Sequence, residues 1–220
     1  MRDLSYKYKN ENRVAIPDFN IDSRGVFCIT GANGSGKSTL LSLIAGLIPP
    51  TTGRIEFSFC VKNEVPDTSS TPDILFFSQG RDVMSMSVRD NVRMGMPFGD
   101  EEICEMLVKL GASSLLDELP DRLDTELGAN GIGVSSGQKQ ILFATHLLLS
   151  RPRMALLDEI SSNMDVIVKN RLLDLLEELG QESLVLVVTH DEDVLARFSN
   201  QIRLDAPVVS ENTTKNERAT

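Results

Sequence analysis

The longest apolar stretches of this sequence fall well short of the roughly 18 residues that a membrane-crossing helix needs. Its opening residues, MRDLSYKYKN, hold no apolar core of the kind that marks a signal peptide. If a membrane matters here, another chain or segment is expected to supply the crossing. Cysteine is scarce: Cys28, Cys60 and Cys104 are scattered and show no C-x-x-C spacing, so neither a zinc site nor a disulfide framework is indicated. A reducing cytosolic setting fits that usage. Basic charge is also short, with 22 Lys and Arg against 32 Asp and Glu and a net charge of −10. Broad nucleic-acid and anionic-membrane surfaces draw their affinity from clustered Lys and Arg, so no nucleic-acid partner is expected. There is no internal repeat.

What remains is a chain of 220 residues, long enough for one well-buried domain with a subdomain. Short apolar runs alternate with longer helical patterns, the arrangement of a mostly parallel α/β sheet with crossover helices. Strands are expected near 26–30, 74–77, 154–158, 184–189 and 200–204, and helices near 37–47, 137–149, 165–179 and 191–197. The runs ILFF, MALLD and LVLVVT lack polar alternation, as strands covered on both faces do. Residues 3–8, 14–21 and 53–60 read as an accessory antiparallel β layer, and 63–73 as loop. Between about 81 and 136 the pattern turns helical, which suggests an inserted helical subdomain within a domain spanning 1–204. The polar tail 205–220 has little to bury and is expected to be disordered.

The stretch GANGSGKST, Gly31 to Thr39, lies between the apolar run Val26-Phe27-Cys28-Ile29-Thr30 and the helical pattern that starts at Leu40. It fits the phosphate loop G-x-x-x-x-G-K-[ST] at Gly31, Gly36, Lys37 and Ser38. Glycines such as Gly31, Gly34 and Gly36 let the backbone N–H groups, including those of Asn33, Ser35 and Thr39, turn toward one concavity at a helix start. Lys37 then reaches the β- and γ-phosphates of a nucleotide, and the Ser38 hydroxyl ligates Mg²⁺. Further on, MALLDE ends a buried strand in two acids. Asp158 is placed to hold Mg²⁺ from the side opposite Ser38, and Glu159 to orient and polarise an attacking water.

GVSSGQKQ, residues 133–140, opens a helix with small residues. Together with the phosphate loop it resembles the L-S-G-G-Q signature of ATP-binding cassette (ABC) ATPases, read here as Val134, Ser135, Ser136, Gly137 and Gln138. The family's other motifs follow in order: Gln79 after a strand in ILFFSQG, the D-loop Ser162-Asn163-Met164-Asp165, and the switch histidine His190 in VVTHD. An aromatic ahead of the phosphate loop, Tyr8 or else Tyr6, matches the residue that stacks on adenine.

The resemblance covers roughly residues 4 to 204 and implies a RecA-like P-loop NTPase core that binds ATP and Mg²⁺. It also implies a shared site, in which the phosphate loop of one cassette closes on the signature of a second, identical or not. Ser135, Ser136, Gly137 and Gln138, with Asp165, would then meet nucleotide held by the partner's loop. His190 would hydrogen-bond the γ-phosphate, and Gln79 would sense Mg²⁺ and water and move with a transmembrane partner. Ser136 stands where relatives mostly carry glycine, so hydrolysis is expected slower or unaltered. His146, where arginine is common, reads as a packed or surface neutral histidine.

LPDRLDTELGANG and SMSVRDNVRMG resemble the exporter patterns before the signature and after the glutamine loop. The implied function is the ATP-hydrolysing engine of an exporter, at the cytoplasmic face of a membrane and peripheral through its transmembrane partner. It is either a separate subunit or a domain of a longer chain. The second reading is an ATP-gated regulatory cassette with little or no hydrolysis. Met84, Met86, Met94 and Met96 crowd one region, where flexible thioethers suit either a docking groove or core filling.

Overall fold

Strands with no polar face are stable only where both faces are covered, and the apolar runs of this chain form such a sheet. The structure, a computed structural model, describes residues 1–9, 13–57, 73–78, 80–129 and 131–204. Gln79, the segment 58–72 and the tail 205–220 lie outside the described residues. In chain order the elements are β1 (Arg2–Lys7), β2 (Arg13–Ala15), β3 (Gly25–Thr30), α1 (Lys37–Ile44), β4 (Thr52–Arg54), β5 (Ile74–Phe77), α2 (Val88–Arg93), α3 (Asp100–Lys109) and α4 (Ser114–Asp117). A 3-10 turn at Arg122–Asp124 leads on to α5 (Ser136–Ser150), β6 (Met154–Asp158), α6 (Val166–Gly180), β7 (Leu184–Val188), α7 (Glu192–Arg197) and β8 (Gln201–Arg203). The main sheet runs β5-β6-β7-β3-β8 with every pair parallel, and a second, antiparallel sheet runs β2-β1-β4. This is the α/β core with an accessory antiparallel layer that the sequence leads one to expect.

Successive side chains of the central strands go to opposite cores, as a period of two requires. Ala155 and Leu157 of β6, Val185 and Val187 of β7, and Cys28 of β3 join Leu172 and Leu176 of α6 and Leu147 of α5 on one face. Met154, Leu156, Leu186, Val188 and Ile29 join Leu40, Leu41 and Ile44 of α1, with Leu4 and Val14 of the antiparallel layer, on the other. Burial pushes the Cys28 thiol up to about 11, which leaves it a small hydrophobe rather than a nucleophile.

The helical arm packs on the first of these faces. Val88 and Val92 of α2 and Ile103 and Leu107 of α3 are fully buried in the same cluster as Leu142, Phe143 and Leu147 of α5. His146 of α5 is buried there, with its Nδ1–H donating to the Val92 carbonyl at 2.7 Å, and burial lowers its pKa. Of the packed and surface placements that the sequence leaves open, it takes the packed one.

Two edges differ from expectation. The segment 14–21 is strand only as far as Ala15, because Pro17 has no N–H for the ladder. Beyond it the Asp18 carboxylate, not a backbone carbonyl, accepts from the Asp3 N–H at 2.7 Å. In 53–60, β4 ends at Arg54, paired with Arg2 of β1, and 55–57 carry no strand; 58–60 lie outside the described residues.

Since arm and sheet share one apolar cluster, Leu107→Ala should lower stability by about 2–5 kcal/mol, as other buried leucine truncations do. Calorimetry should show the loss in a single cooperative transition; a separate arm transition would mean that the two cores are independent.

Candidate functional site

The loop after β3 is shaped by glycine at its last position. Gly36 has φ +96°, and a Cβ there would lie 2.3 Å from Val14 Cγ1, so conformation and space both exclude a side chain. The N–H groups of the first turn of α1, which starts at Lys37, have no helical carbonyl to bond. Lys37 is buried, and its Nζ donates to the Gly31 carbonyl at 2.9 Å and the Ala32 carbonyl at 3.0 Å, so its charge is held over the loop. Ser35 Oγ is the one buried side-chain polar atom without a partner among the described residues. Such an orphan costs about 1–3 kcal/mol and is explained by a polar ligand arriving in the loop. Asn33 and Gly34 form the exposed tip, and Ser38 is exposed. Thr39 is buried, its hydroxyl hydrogen-bonded to that of Tyr8, which brings Tyr8 to the start of α1 with Tyr6 edge-on at 4.8 Å.

Parallel pairing carries the acids to the same edge. Ile29, Val188 and Asp158 lie in one row across β3, β7 and β6. Two inter-strand spacings set β3 and β6 about 10 Å apart, room for a phosphate and its metal. Ligands of open parallel sheets bind at this carboxyl edge. Asp158 is buried, and Glu159, the next residue, turns out of the strand at φ +58°.

Burial raises the Glu159 carboxyl above the ordinary glutamate range. The His190 charge and its backbone N–H pull the other way, as does Lys37, while Asp158 adds to the rise. Lys37, Asp158 and His190 thus all lie within electrostatic reach of Glu159. His190 is exposed, and the residue after it is anchored: Asp191 caps α7 and accepts from Lys169 Nζ at 3.0 Å. Burial alone would raise the Asp191 carboxyl, but Lys169 holds it low.

Among the described residues no group of three or more His, Cys, Asp or Glu stands ready to hold a metal by itself. Ser38 and Asp158 are hard oxygen donors at the loop and the strand end. That pair suits Mg²⁺, which takes one or two protein oxygens and fills its shell with phosphate and water.

The signature residues stand apart from this group. Ser135 caps α5, accepting from the Gln138 N–H at 3.2 Å while Gln138 Oε1 accepts from the Ser135 N–H at 2.8 Å. Gln138 Nε2 donates to Glu118 at 2.8 Å, so its amide is used within the chain. Ser135 and Ser136 are exposed, and among the described residues no hydrogen bond joins 135–138 to the phosphate loop. A Cβ on Gly137 would lie 2.4 Å from the Asn163 carbonyl oxygen, so glycine is required there by the chain's own D-loop. Asp165 caps α6, accepting from the N–H groups of Ile167 and Val168 at 2.9 and 3.0 Å.

Two amides escaped the sequence reading. Gln140 is buried and bonds Glu159, Ser162 and Asn163. Asn91 is buried and makes four bonds to the backbone of 84–87. Buried amides with every atom paired are the only available signal, and that signal exists in three dimensions only.

Residues 15–162 match the family model described as ABC transporter. The chain belongs to that family. It is 28% identical over 211 residues to a multidrug resistance-like ATP-binding protein of Buchnera aphidicola, a match covering 95% of this chain and 35% of that protein. It is 29% identical over 174 residues to a multidrug resistance ABC transporter ATP-binding and permease protein of Lactococcus lactis, covering 78% and 30% respectively. The cassette therefore spans about a third of the length of these relatives.

The cassette also carries a small groove lined by Arg81, Met84, Met94, Lys139 and Phe143 among others. The Arg81 guanidinium lies 5.4 Å over the Phe143 ring and also donates to the Phe76 carbonyl at 3.3 Å. Met84 and Met94 line this groove, and Met96 is exposed outside it.

The Glu159 shift has a sign that can be measured. A carboxyl raised by burial binds its proton more tightly in the folded chain, so folding gains as pH falls through that raised value and carries an ionised, poorly solvated group above it. Glu159→Gln removes the charge. Its Tm should exceed that of the native chain at pH 7.5, with the gap closing as pH is lowered toward 5 in thermal melts.

Proposed function

We propose that this chain is the Mg²⁺-dependent ATPase of an ABC transporter, of exporter type, acting at the cytoplasmic face of a membrane. The observation that carries the reading is the meeting of Lys37, Asp158, Glu159 and His190 at one edge of three neighbouring parallel strands, with the signature exposed at another helix start. The printed names of the relatives, multidrug resistance proteins with ATP-binding and permease parts, favour export. Among the described residues no helix is long and apolar enough to cross a membrane. The groove at Arg81, Met84 and Phe143 is the surface proposed to receive a transmembrane partner.

In this reading the N–H groups at the start of α1, with Ser35 and Lys37, bind the β- and γ-phosphates of ATP. Mg²⁺ held by Ser38 and Asp158 would neutralise phosphate charge. Glu159 accepts a proton from the attacking water and orients it; burial, by raising its pKa, makes it a better acceptor at neutral pH. His190 hydrogen-bonds the γ-phosphate, and Tyr8 offers its ring to the base. Ser135 and Ser136 are exposed at the start of α5, and among the described residues no hydrogen bond ties them to the chain's own phosphate loop, which suits contact with nucleotide on a second cassette.

Steady-state Mg·ATP hydrolysis measured against protein concentration should rise faster than linearly, since two chains build each site. Glu159→Gln should lower kcat about 10²–10⁴-fold, the range of general-base contributions, while the variant still dimerises on ATP. A native chain that binds and dimerises on ATP without turnover would give the regulatory cassette in its place.

A further inference from the structure

The backbone of Glu159 is held in a conformation that a residue with a Cβ disfavours by about 1–2 kcal/mol. Its N–H donates to the Val188 carbonyl at 3.0 Å, which ties it to β7. Its carbonyl oxygen accepts from Gln140 Nε2 at 3.1 Å and from Ser162 Oγ at 3.0 Å. The same Gln140 amide donates to Ser162 Oγ at 3.1 Å and accepts from the Asn163 N–H at 3.1 Å, so all its polar atoms are spent on the turn 159–163. Gln140 is 6% exposed and lies on α5, one turn beyond the signature. Gly137, in the first turn of α5, brings the helix against the Asn163 carbonyl. The start of α5 and the turn that carries Glu159 are therefore joined by hydrogen bonds and by close packing.

We infer that Gln140 is a positioning residue: through the Glu159 carbonyl and the turn 159–163 it aims the Glu159 carboxylate, and it links that aim to the start of α5. The inference rests on the function proposed above, in which Glu159 serves the nucleotide on its own chain and the start of α5 serves the nucleotide on the other. Under that assignment, a nucleotide gripped by α5 of one chain sets the base of that same chain, which works in the opposite site. The two sites are coupled through this buried amide.

The test compares the 220-residue chain with Gln140→Ala, Gln140→Glu and Ser162→Ala. Misplacing a reacting group by about 1 Å costs on the order of 100-fold, so Gln140→Ala should lose about 10–100-fold in kcat with little change in KM for ATP. Ser162 is exposed, so Ser162→Ala threatens folding least; it should lower kcat in the same sense by a smaller factor.

Gln140→Glu keeps the shape and removes the donor until its carboxyl is protonated, which a buried carboxyl does well above its ordinary range. The ratio of its kcat to that of the native chain should therefore climb as pH falls from 8.5 to 6. The charged groups around the turn, Asp158, Glu159, Lys37 and His190, are the same in both proteins, so the ratio isolates position 140. A packing role would give a flat ratio. Native hydrolysis with Gln140→Ala and Ser162→Ala both within about 2-fold in kcat, or with a flat Gln140→Glu ratio, overturns the inference and leaves the function standing. A native chain with no Mg·ATP hydrolysis removes the function and this inference with it.

Discussion

The hydrogen-bond ladder joining β3, β7 and β6 is the constraint on which the site depends. Parallel pairing fixes Ile29, Val188 and Asp158 in one row, so the loops that follow must emerge side by side at one edge. The strands are apolar on both faces, and polar side chains are confined to where they end: Thr30, Asp158 and, just past β7, Thr189. Burial of the two faces supplies most of the stability, and it also gives the functional groups a rigid base, since a packed sheet cannot slide by one residue without exposing a whole apolar face.

Rigidity at that edge has an electrostatic counterpart. Two consecutive carboxylates, Asp158 and Glu159, leave a dry strand end beside one lysine and one histidine. Burial raises Glu159 further than its cationic neighbours lower it, so the group best placed to meet a water is also the one whose basicity the fold increases. Lys37 is pinned by two loop carbonyls and adds its charge without folding out into solvent. Under the proposed function, these positioned charges would stabilise phosphoryl transfer by preorganisation.

Much of this was legible in the chain because it is local. A phosphate loop is a spacing of glycines between a strand and a helix; the acids and His190 each terminate an apolar run. The parts that could not be read are those that tertiary proximity creates. Gln140 and Asn91 are amides inside helices, where the period of 3.6 residues gives no hint that a side chain is fully paired and buried. Pro17 lacks the N–H that the next ladder bond needs, so the segment 14–21 is strand only as far as Ala15. The resemblance assigns Asp165 to nucleotide on a second cassette, and the structure adds a cap on α6 that the residue type does not announce. Side-chain chemistry alone cannot choose between a cap and a contact; the bonding partners must be known.

Ser136 brings these points together. The signature of this chain has a serine where glycine is usual, and the question is which of its positions cannot tolerate a Cβ. The structure gives that role to Gly137, where an added carbon would meet a backbone carbonyl of the D-loop at 2.4 Å, a clash that no side-chain rotation relieves. Ser136 is the first residue of α5 and is exposed, so its hydroxyl and Cβ cost the isolated fold nothing. In the dimer proposed above, any effect of this serine on turnover would act on nucleotide held by the second cassette. Steric tolerance within the chain and reactivity between chains are separate constraints on neighbouring residues of one motif.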